Sequence, residues 1–188
     1  SIVANAWRAN LPNTIVICPD SPEKCAASPT GFQWFDLMDQ TPEQVLSKSL
    51  VAESKLNKLI DEVKEKNKLL ANQIVIGGFS QGCMISLQTG IKRKDTINSI
   101  IGNSGRIIDT EHLGKNIFSR PNIILMHGDK DQIVSIESFL EAKDFFRKNN
   151  YEIETEIFKN CEHRIPTEGS SLGLQFIKKH FNLSVFLL

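Results

Sequence analysis

Neither sign of charge is in excess in this chain of 188 residues: 22 Lys and Arg are offset by 22 Asp and Glu. A nucleic-acid or anionic-membrane binder needs a basic surplus to neutralise phosphates, so no partner of that kind is expected. Long apolar runs are also missing. Nothing approaches the roughly 20 residues that span a bilayer, and Val185-Phe186-Leu187-Leu188 is only a tail. A transmembrane segment is therefore not expected. The start, Ser1-Ile2-Val3-Ala4-Asn5-Ala6-Trp7-Arg8, lacks the basic region and apolar core of a secretory leader. These absences together predict a soluble, cytoplasmic protein. Cysteine is sparse, with Cys18, Cys25, Cys83 and Cys161 scattered, no C-x-x-C pair and no His at ligand spacing. A disulfide framework and a zinc site are both disfavoured, leaving reduced thiols that behave as small apolar residues.

The composition itself is that of an ordinary globular domain, 40% hydrophobic and 23% charged. Short β-rich runs alternate with helical stretches. Thr14-Ile15-Val16-Ile17-Cys18 is a continuous apolar run closed by Pro19-Asp20, the pattern of a strand buried on both faces. Thr41-Pro42-Glu43-Gln44 carries helix-start signals, and apolar residues recur at helical spacing to about Leu70, with room for one break. Further strands are read at Gln73–Gly77, Ile97–Gly102, Asn122–His127 and Tyr151–Phe158, the last exposed on one face and near a sheet edge. Helices are read at Gln81–Ile91, Ser135–Lys148 and Glu168–Phe181. Alternation of this kind implies βαβ crossovers and a mostly parallel sheet flanked by helices, in one α/β domain over residues 1–188.

The segment Ile74-Val75-Ile76-Gly77-Gly78-Phe79-Ser80-Gln81-Gly82 places G-x-S-x-G between a strand and a helix. A serine on so sharp a turn presents its hydroxyl above the carboxyl edge of the sheet, and the flanking glycines are expected to avoid collisions with nearby backbone. The helix N-terminus behind it favours negative charge developing on a substrate oxygen. Serine is a weak nucleophile near neutral pH and needs a base that is itself held by an acceptor. After the strand ending at His127 come two acids, Asp129 and Asp131, between which spacing alone does not choose. After the Tyr151–Phe158 strand comes His163, the one histidine in a loop following a late strand. His180 falls in the last helix and His112 in a polar connection, both at the surface, whereas His127 is placed to shape the His-Gly-Asp turn. Cys161 is a rival nucleophile without a cation placed to activate it.

Gly78-Phe79-Ser80-Gln81-Gly82, His127-Gly128-Asp129-Lys130-Asp131-Gln132-Ile133-Val134 and Cys161-Glu162-His163 together resemble the phospholipase/carboxylesterase family of α/β-hydrolases, which includes acyl-protein thioesterases and lysophospholipases. Gly31-Phe32-Gln33-Trp34-Phe35-Asp36 resembles that family's segment near the acyl-binding region. The resemblance, over about residues 1–182, puts the nucleophile on Ser80, the acid on Asp131 and the base on His163, with the backbone N–H of Gln81 as an oxyanion donor. Cys83 stands where the family often has a third glycine. Trp34 and Phe32, with Phe35, are candidates for the acyl-pocket wall, although clustered aromatics are as often plain core.

The resemblance also carries a departure. The family's His-Gly strand, whose loop supplies a second oxyanion N–H, has no counterpart before the first helix at Ser1–Asn10, so about five of the usual eight strands are expected. The strand that normally separates Thr14–Cys18 from Gln73–Gly77 is among those missing. The chain reads accordingly as a truncated, split or decayed family member, incomplete at its N-terminus. The implied activity is hydrolysis of a small-molecule ester or acyl substrate through an acyl-enzyme, with no metal or organic cofactor and at most a weak homodimer. An inactive remnant and a peptidase on the same fold are the alternatives.

Overall fold

The structure is a computed structural model, and it describes residues 2–25, 30–38 and 40–181. Helix α1 spans Ile2–Asn10, and two short antiparallel strands, β1 (Glu23–Lys24) and β2 (Phe32–Gln33), form a small hairpin that sequence patterning did not disclose. Helix α2 runs unbroken over Pro42–Asn67. Its start has a physical cause: Thr41 accepts from the Gln44 N–H, the Gln44 side chain accepts from the Thr41 N–H, and Pro42 occupies the first turn. The rest alternates: β3 (Val75–Phe79), α3 (Gln81–Lys92), β4 (Ser99–Asn103), α4 (Thr110–Lys115), β5 (Asn122–Gly128), α5 (Ile136–Lys148), β6 (Ile153–Phe158) and α6 (Thr167–His180).

Strands β3 to β6 form a four-stranded, wholly parallel sheet in the order β3-β4-β5-β6, which is the α/β-hydrolase arrangement of a parallel sheet flanked by helices. Alternate residues of each strand enter opposite layers. Ile100, Ile123 and Leu125 join a core with α2, α3 and α5, whereas Ile101, Ile124 and Met126 pack with Leu11, Phe176 and Ile177 on the other face. Helix α3 lies between the sheet and α2, so every residue from Cys83 to Ile91 is buried. Strand β6, at the sheet edge, alternates half-buried and exposed positions along most of its length, as read from its pattern.

One expected strand is absent. Thr14–Cys18 belongs to no ladder among the described residues, and Ile15 and Ile17 are 60% and 46% exposed. A strand buried on both faces needs hydrogen-bonding neighbours. Within the described residues β3 pairs only with β4, and nothing stands beside Thr14–Cys18 to complete it. Among the described residues the main sheet consequently has four strands where five were expected. His112, read in a polar connection, lies in the short helix α4 that forms part of it, opening on the Asp109 side chain accepting from the His112 N–H at 2.7 Å.

Candidate functional site

Ser80 occupies the turn between β3 and α3 with φ 53° and ψ −118°, a conformation that strains a residue bearing a Cβ. Its N–H donates to the Asn103 carbonyl at 2.8 Å, tying the turn to the end of β4. Serine at a helix N-cap ordinarily accepts from an N–H of the first turn, but here the hydroxyl makes no capping bond. The strain is therefore retained without the compensation that an N-cap serine normally provides. Gly78 permits the turn: a Cβ there would lie 2.1 to 2.4 Å from Gly82 and Cys83 backbone. Gly82 behaves otherwise, because a Cβ on it would meet only the Trp34 Nε1 at 4.0 Å. The expectation of a collision at both flanking glycines thus holds for Gly78 alone, since a Cβ on Gly82 would meet nothing closer than van der Waals contact with Trp34.

The two later loops meet beside this turn. Gly128 closes β5, and a Cβ on it would fall 2.2 Å from the Cys161 carbonyl oxygen, so only glycine admits the 159–163 loop at this distance. Lys130 N–H donates to Cys161 O at 2.9 Å, and Asp129 N–H donates to Phe158 O at 3.0 Å. Asp129 accepts from the Cys161 N–H at 3.4 Å, a bracing role, whereas Asp131 Oδ2 lies 2.7 Å from His163 Nδ1. The geometry separates the two acids that spacing left equivalent. Asp131 Oδ1 accepts from the N–H groups of Ile133 and Val134, both at 2.9 Å, and its side chain is fully buried. Burial by itself would raise the Asp131 pKa. The hydrogen bonds from His163, Val134 and Ile133, with the imidazole's charge, outweigh it and hold the carboxyl below its ordinary value.

His127, 1% exposed, holds the same loop from beneath, with Nε2 2.8 Å from the Val134 carbonyl. A carbonyl only accepts, so Nε2 carries the proton. The His163 ring packs on Phe79, the residue before Ser80, with centroids 4.6 Å apart. No hydrogen bond joins the Ser80 hydroxyl to His163 among the described residues. Bonds of this type are often loose without substrate and tighten in the complex. Cys161 is buried, and its thiol donates to the Glu162 carbonyl at 3.5 Å.

Ser80 opens into a groove of about 540 Å³ whose apolar walls include Leu37, Val45, Met84, Ile108 and Ile133. Trp34 and Phe32 do not line it: Trp34 packs at the edge of the core near Gly82, and Phe32 is half exposed. Phe35 is fully buried core. What links this segment to the site is a side chain without local signal in the sequence. Gln81 accepts from the Trp34 N–H at 2.7 Å and donates to the Phe35 carbonyl at 2.6 Å, clamping the loop to the first residue of α3. The groove walls come from separate loops and from α2, α3 and α5, which is why periodicity did not reveal them. Among the described residues no cluster of His, Cys, Asp or Glu is arranged to hold a metal, and no helix is long and apolar enough to cross a membrane.

A parallel sheet carrying a strained serine at a strand-to-helix turn, with an Asp–His pair in the loops after later strands, defines the α/β-hydrolase class. Residues 2–184 match the Phospholipase/Carboxylesterase family, and the chain belongs to that family of hydrolases acting on ester and thioester bonds. Among its relatives, acyl-protein thioesterase 1 of Saccharomyces cerevisiae is 30% identical over 186 residues, covering 91% of this chain and 80% of the yeast protein. Acyl-protein thioesterase 1 homolog 1 of Dictyostelium discoideum is 28% identical over 174 residues, covering 87% of this chain and 75% of its own. The crystal structure of esterase PE8 superposes with a TM-score of 0.90 at 26% identity, covering 96% of this chain and 85% of that one.

Proposed function

We propose that this protein is a serine hydrolase that cleaves a carboxylic ester or thioester of a small acyl substrate through a covalent acyl-enzyme. Ser80 Oγ attacks the carbonyl carbon while its proton passes to His163 Nε2. Asp131 accepts from His163 Nδ1–H, fixes the tautomer that leaves Nε2 free to take the proton, and stabilises the imidazolium that forms. The Gln81 N–H, at the start of α3, stabilises the oxyanion of the tetrahedral intermediate. Collapse breaks the bond to the alcohol or thiol, which leaves with the proton from His163, and water then releases the acid by the same steps. No metal or organic cofactor enters this sequence.

The observation that carries the reading is Ser80 itself, whose backbone is strained and whose hydroxyl forgoes its capping bond, facing a groove with apolar walls. Membership of the Phospholipase/Carboxylesterase family and likeness to the yeast and Dictyostelium thioesterases support the same class of chemistry. Hydrolysis of 4-nitrophenyl butyrate and of a butyryl thioester, measured for the native chain and for Ser80→Ala, tests it. Ser80-dependent turnover together with labelling of Ser80 by a fluorophosphonate is expected; equal rates in the two proteins reject it. A second reading, a remnant that keeps these residues without turnover, draws on one observation, the unpaired and exposed Thr14–Cys18 segment. Folded protein with no Ser80-dependent labelling favours that reading.

A further inference from the structure

Arg106 shares the groove with Ser80, and its side chain has no hydrogen bond or ion pair among the described residues. Its position is fixed by the turn after β4. Ser104, with φ 47°, donates its N–H to the Met126 carbonyl at 2.9 Å, and a Cβ on Gly105 would lie 3.0 Å from the Ser80 carbonyl oxygen. The Arg106 backbone thus follows directly on a residue whose backbone abuts that of the nucleophile. No acid lines the groove. The nearby carboxylates are engaged elsewhere: Asp36 with the Met38 N–H, Gln40 and Lys48, Asp109 with the His112 N–H, and Asp131 with His163. A guanidinium with no protein acceptor is free to bind a ligand's anion, and its planar fork matches carboxylate or phosphate oxygens in pairs.

We infer that Arg106 selects an anionic substrate, an acyl ester or thioester bearing a carboxylate or phosphate at the end remote from the scissile bond. The inference rests on the hydrolase reading for the reaction, but the charge selection is a separate property of the groove. Leu37, Met84, Ile108 and Ile133 offer apolar surface for the hydrocarbon between the two ends. The carboxylate belongs to a dicarboxylic acyl group and the phosphate to a glycerophosphate-type leaving group, so the two sources place the anion on opposite sides of the scissile bond.

Two measurements test this. In the first, kcat/KM is compared for mono-4-nitrophenyl suberate against 4-nitrophenyl octanoate, and for octanoyl glycerol phosphate against monooctanoylglycerol. In the wild type the charged member is expected to lead by about tenfold in one pair, identifying the source. The ratio should fall at least fivefold in Arg106→Gln, be largely kept in Arg106→Lys, and shrink as salt rises, since the site is open to solvent. In the second, calorimetry on Ser80→Ala compares octyl phosphate and monomethyl suberate with octanol, repeated with Arg106→Gln and with Arg106→Lys added. An anion advantage that disappears with Gln and returns with Lys supports the assignment without requiring turnover. Anions that bind no tighter than octanol, or an advantage that survives Arg106→Gln, overturn it. Turnover without charge preference rejects this inference alone, and Arg106-dependent anion binding without turnover rejects the hydrolase reading alone.

Discussion

His163 Nδ1 lies 2.7 Å from Asp131 Oδ2, and two backbone N–H groups, from Ile133 and Val134, hold the other carboxylate oxygen at 2.9 Å. The acid is thus fixed by its own loop before the imidazole is added, and the imidazole's orientation follows from the acid. Replacing Asp131 with Asn keeps the shape but presents an amide, which no longer requires the Nδ1–H tautomer. We expect a fall in kcat on the order of 10⁴, with a far-ultraviolet spectrum close to wild type and a lower melting temperature near neutral pH, because the lowered carboxyl pKa stabilises the fold there. Steady-state hydrolysis of 4-nitrophenyl butyrate alongside thermal unfolding checks both.

The same carboxyl sets a pH dependence of stability. Its folded pKa lies below the ordinary 3.8, so the unfolded chain takes up the proton more readily. The stabilisation is fully present above 3.8 and is lost as pH falls through the lowered folded value. Denaturant unfolding of wild type and Asp131→Asn, followed from pH 7 to pH 3, should show a wild-type advantage that is steady above the ordinary value and declines in the acid range. An advantage that instead grows on acidification contradicts the assignment.

Gly128 makes a backbone prediction. A Cβ there would sit 2.2 Å from the Cys161 carbonyl oxygen and 2.9 Å from that of Glu162, contacts that neither loop relieves by rotating a side chain. Gly128→Ala should push the 159–163 loop outward and carry His163 away from Asp131. Activity is expected to drop by at least 100-fold, comparable with removal of one catalytic interaction, and the protein to melt lower. Gly82→Ala is the control, since a Cβ at that position meets only Trp34 at 4.0 Å. It should fold with near-native stability, and a melting loss equal to that of Gly128→Ala would refute the distinction.

Much of this site was legible because its chemistry sits in local words. The strand-serine-helix word at Val75–Gly82, the His-Gly-Asp word at β5 and the lone loop histidine each follow from adjacent residues, and the parallel topology delivers all three to one sheet edge. Helix α2 was equally readable because the Thr41–Gln44 box is a local signal. The failures are non-local. Thr14–Cys18 has the apolar content of a buried strand, but burial depends on neighbours that a segment cannot specify for itself. Asp129 and Asp131 differ only in what the 159–163 loop brings to them. The Gln81 clamp on residues 34 and 35 spans more than 45 positions, and the groove draws Leu37 and Val45 from that region by packing of the same long range. Helix α4 did carry a signal, an Asp109 cap ahead of Thr110-Glu111-His112, too short to register as periodicity.

The Gln81 clamp allows the segment's role to be separated from that of the nucleophile. Both side-chain amide atoms are committed, one to the Trp34 N–H and one to the Phe35 carbonyl, while the backbone N–H is the proposed oxyanion donor. Gln81→Ala keeps the N–H and removes the clamp, leaving two partly buried backbone groups to find water at a cost of about 1–3 kcal/mol each if they remain dry. The segment leading to Leu37 and Gln40 on the groove wall should loosen, raising KM for a long acyl ester more than for an acetate. Labelling of Ser80 by a small fluorophosphonate should persist, because the elbow is held by Gly78 and by the Ser80 bond to Asn103 rather than by this amide. KM values for 4-nitrophenyl acetate and octanoate that rise equally would place Gln81 outside acyl-chain binding.

The cysteines give a chemical readout of the packing around the elbow. Cys83 is 2% exposed, wedged where a Cβ on Gly102 or Gly105 would come within 2.7 Å of its sulfur, and burial pushes its thiol up to about 12. A thiol so placed is neither ionised nor reachable near neutral pH. Cys161 is equally buried, whereas Cys18 is exposed and Cys25 half-buried. A disulfide reagent at pH 8 should therefore modify Cys18 first and Cys25 next, with Cys83 and Cys161 reacting only on the timescale of unfolding. Adding denaturant should release both together if the elbow and the 159–163 loop unfold as one unit. Rapid native modification of Cys83, mapped by mass spectrometry, would mean that the turn carrying Ser80 is far looser than the contacts at Gly102 and Gly105 require.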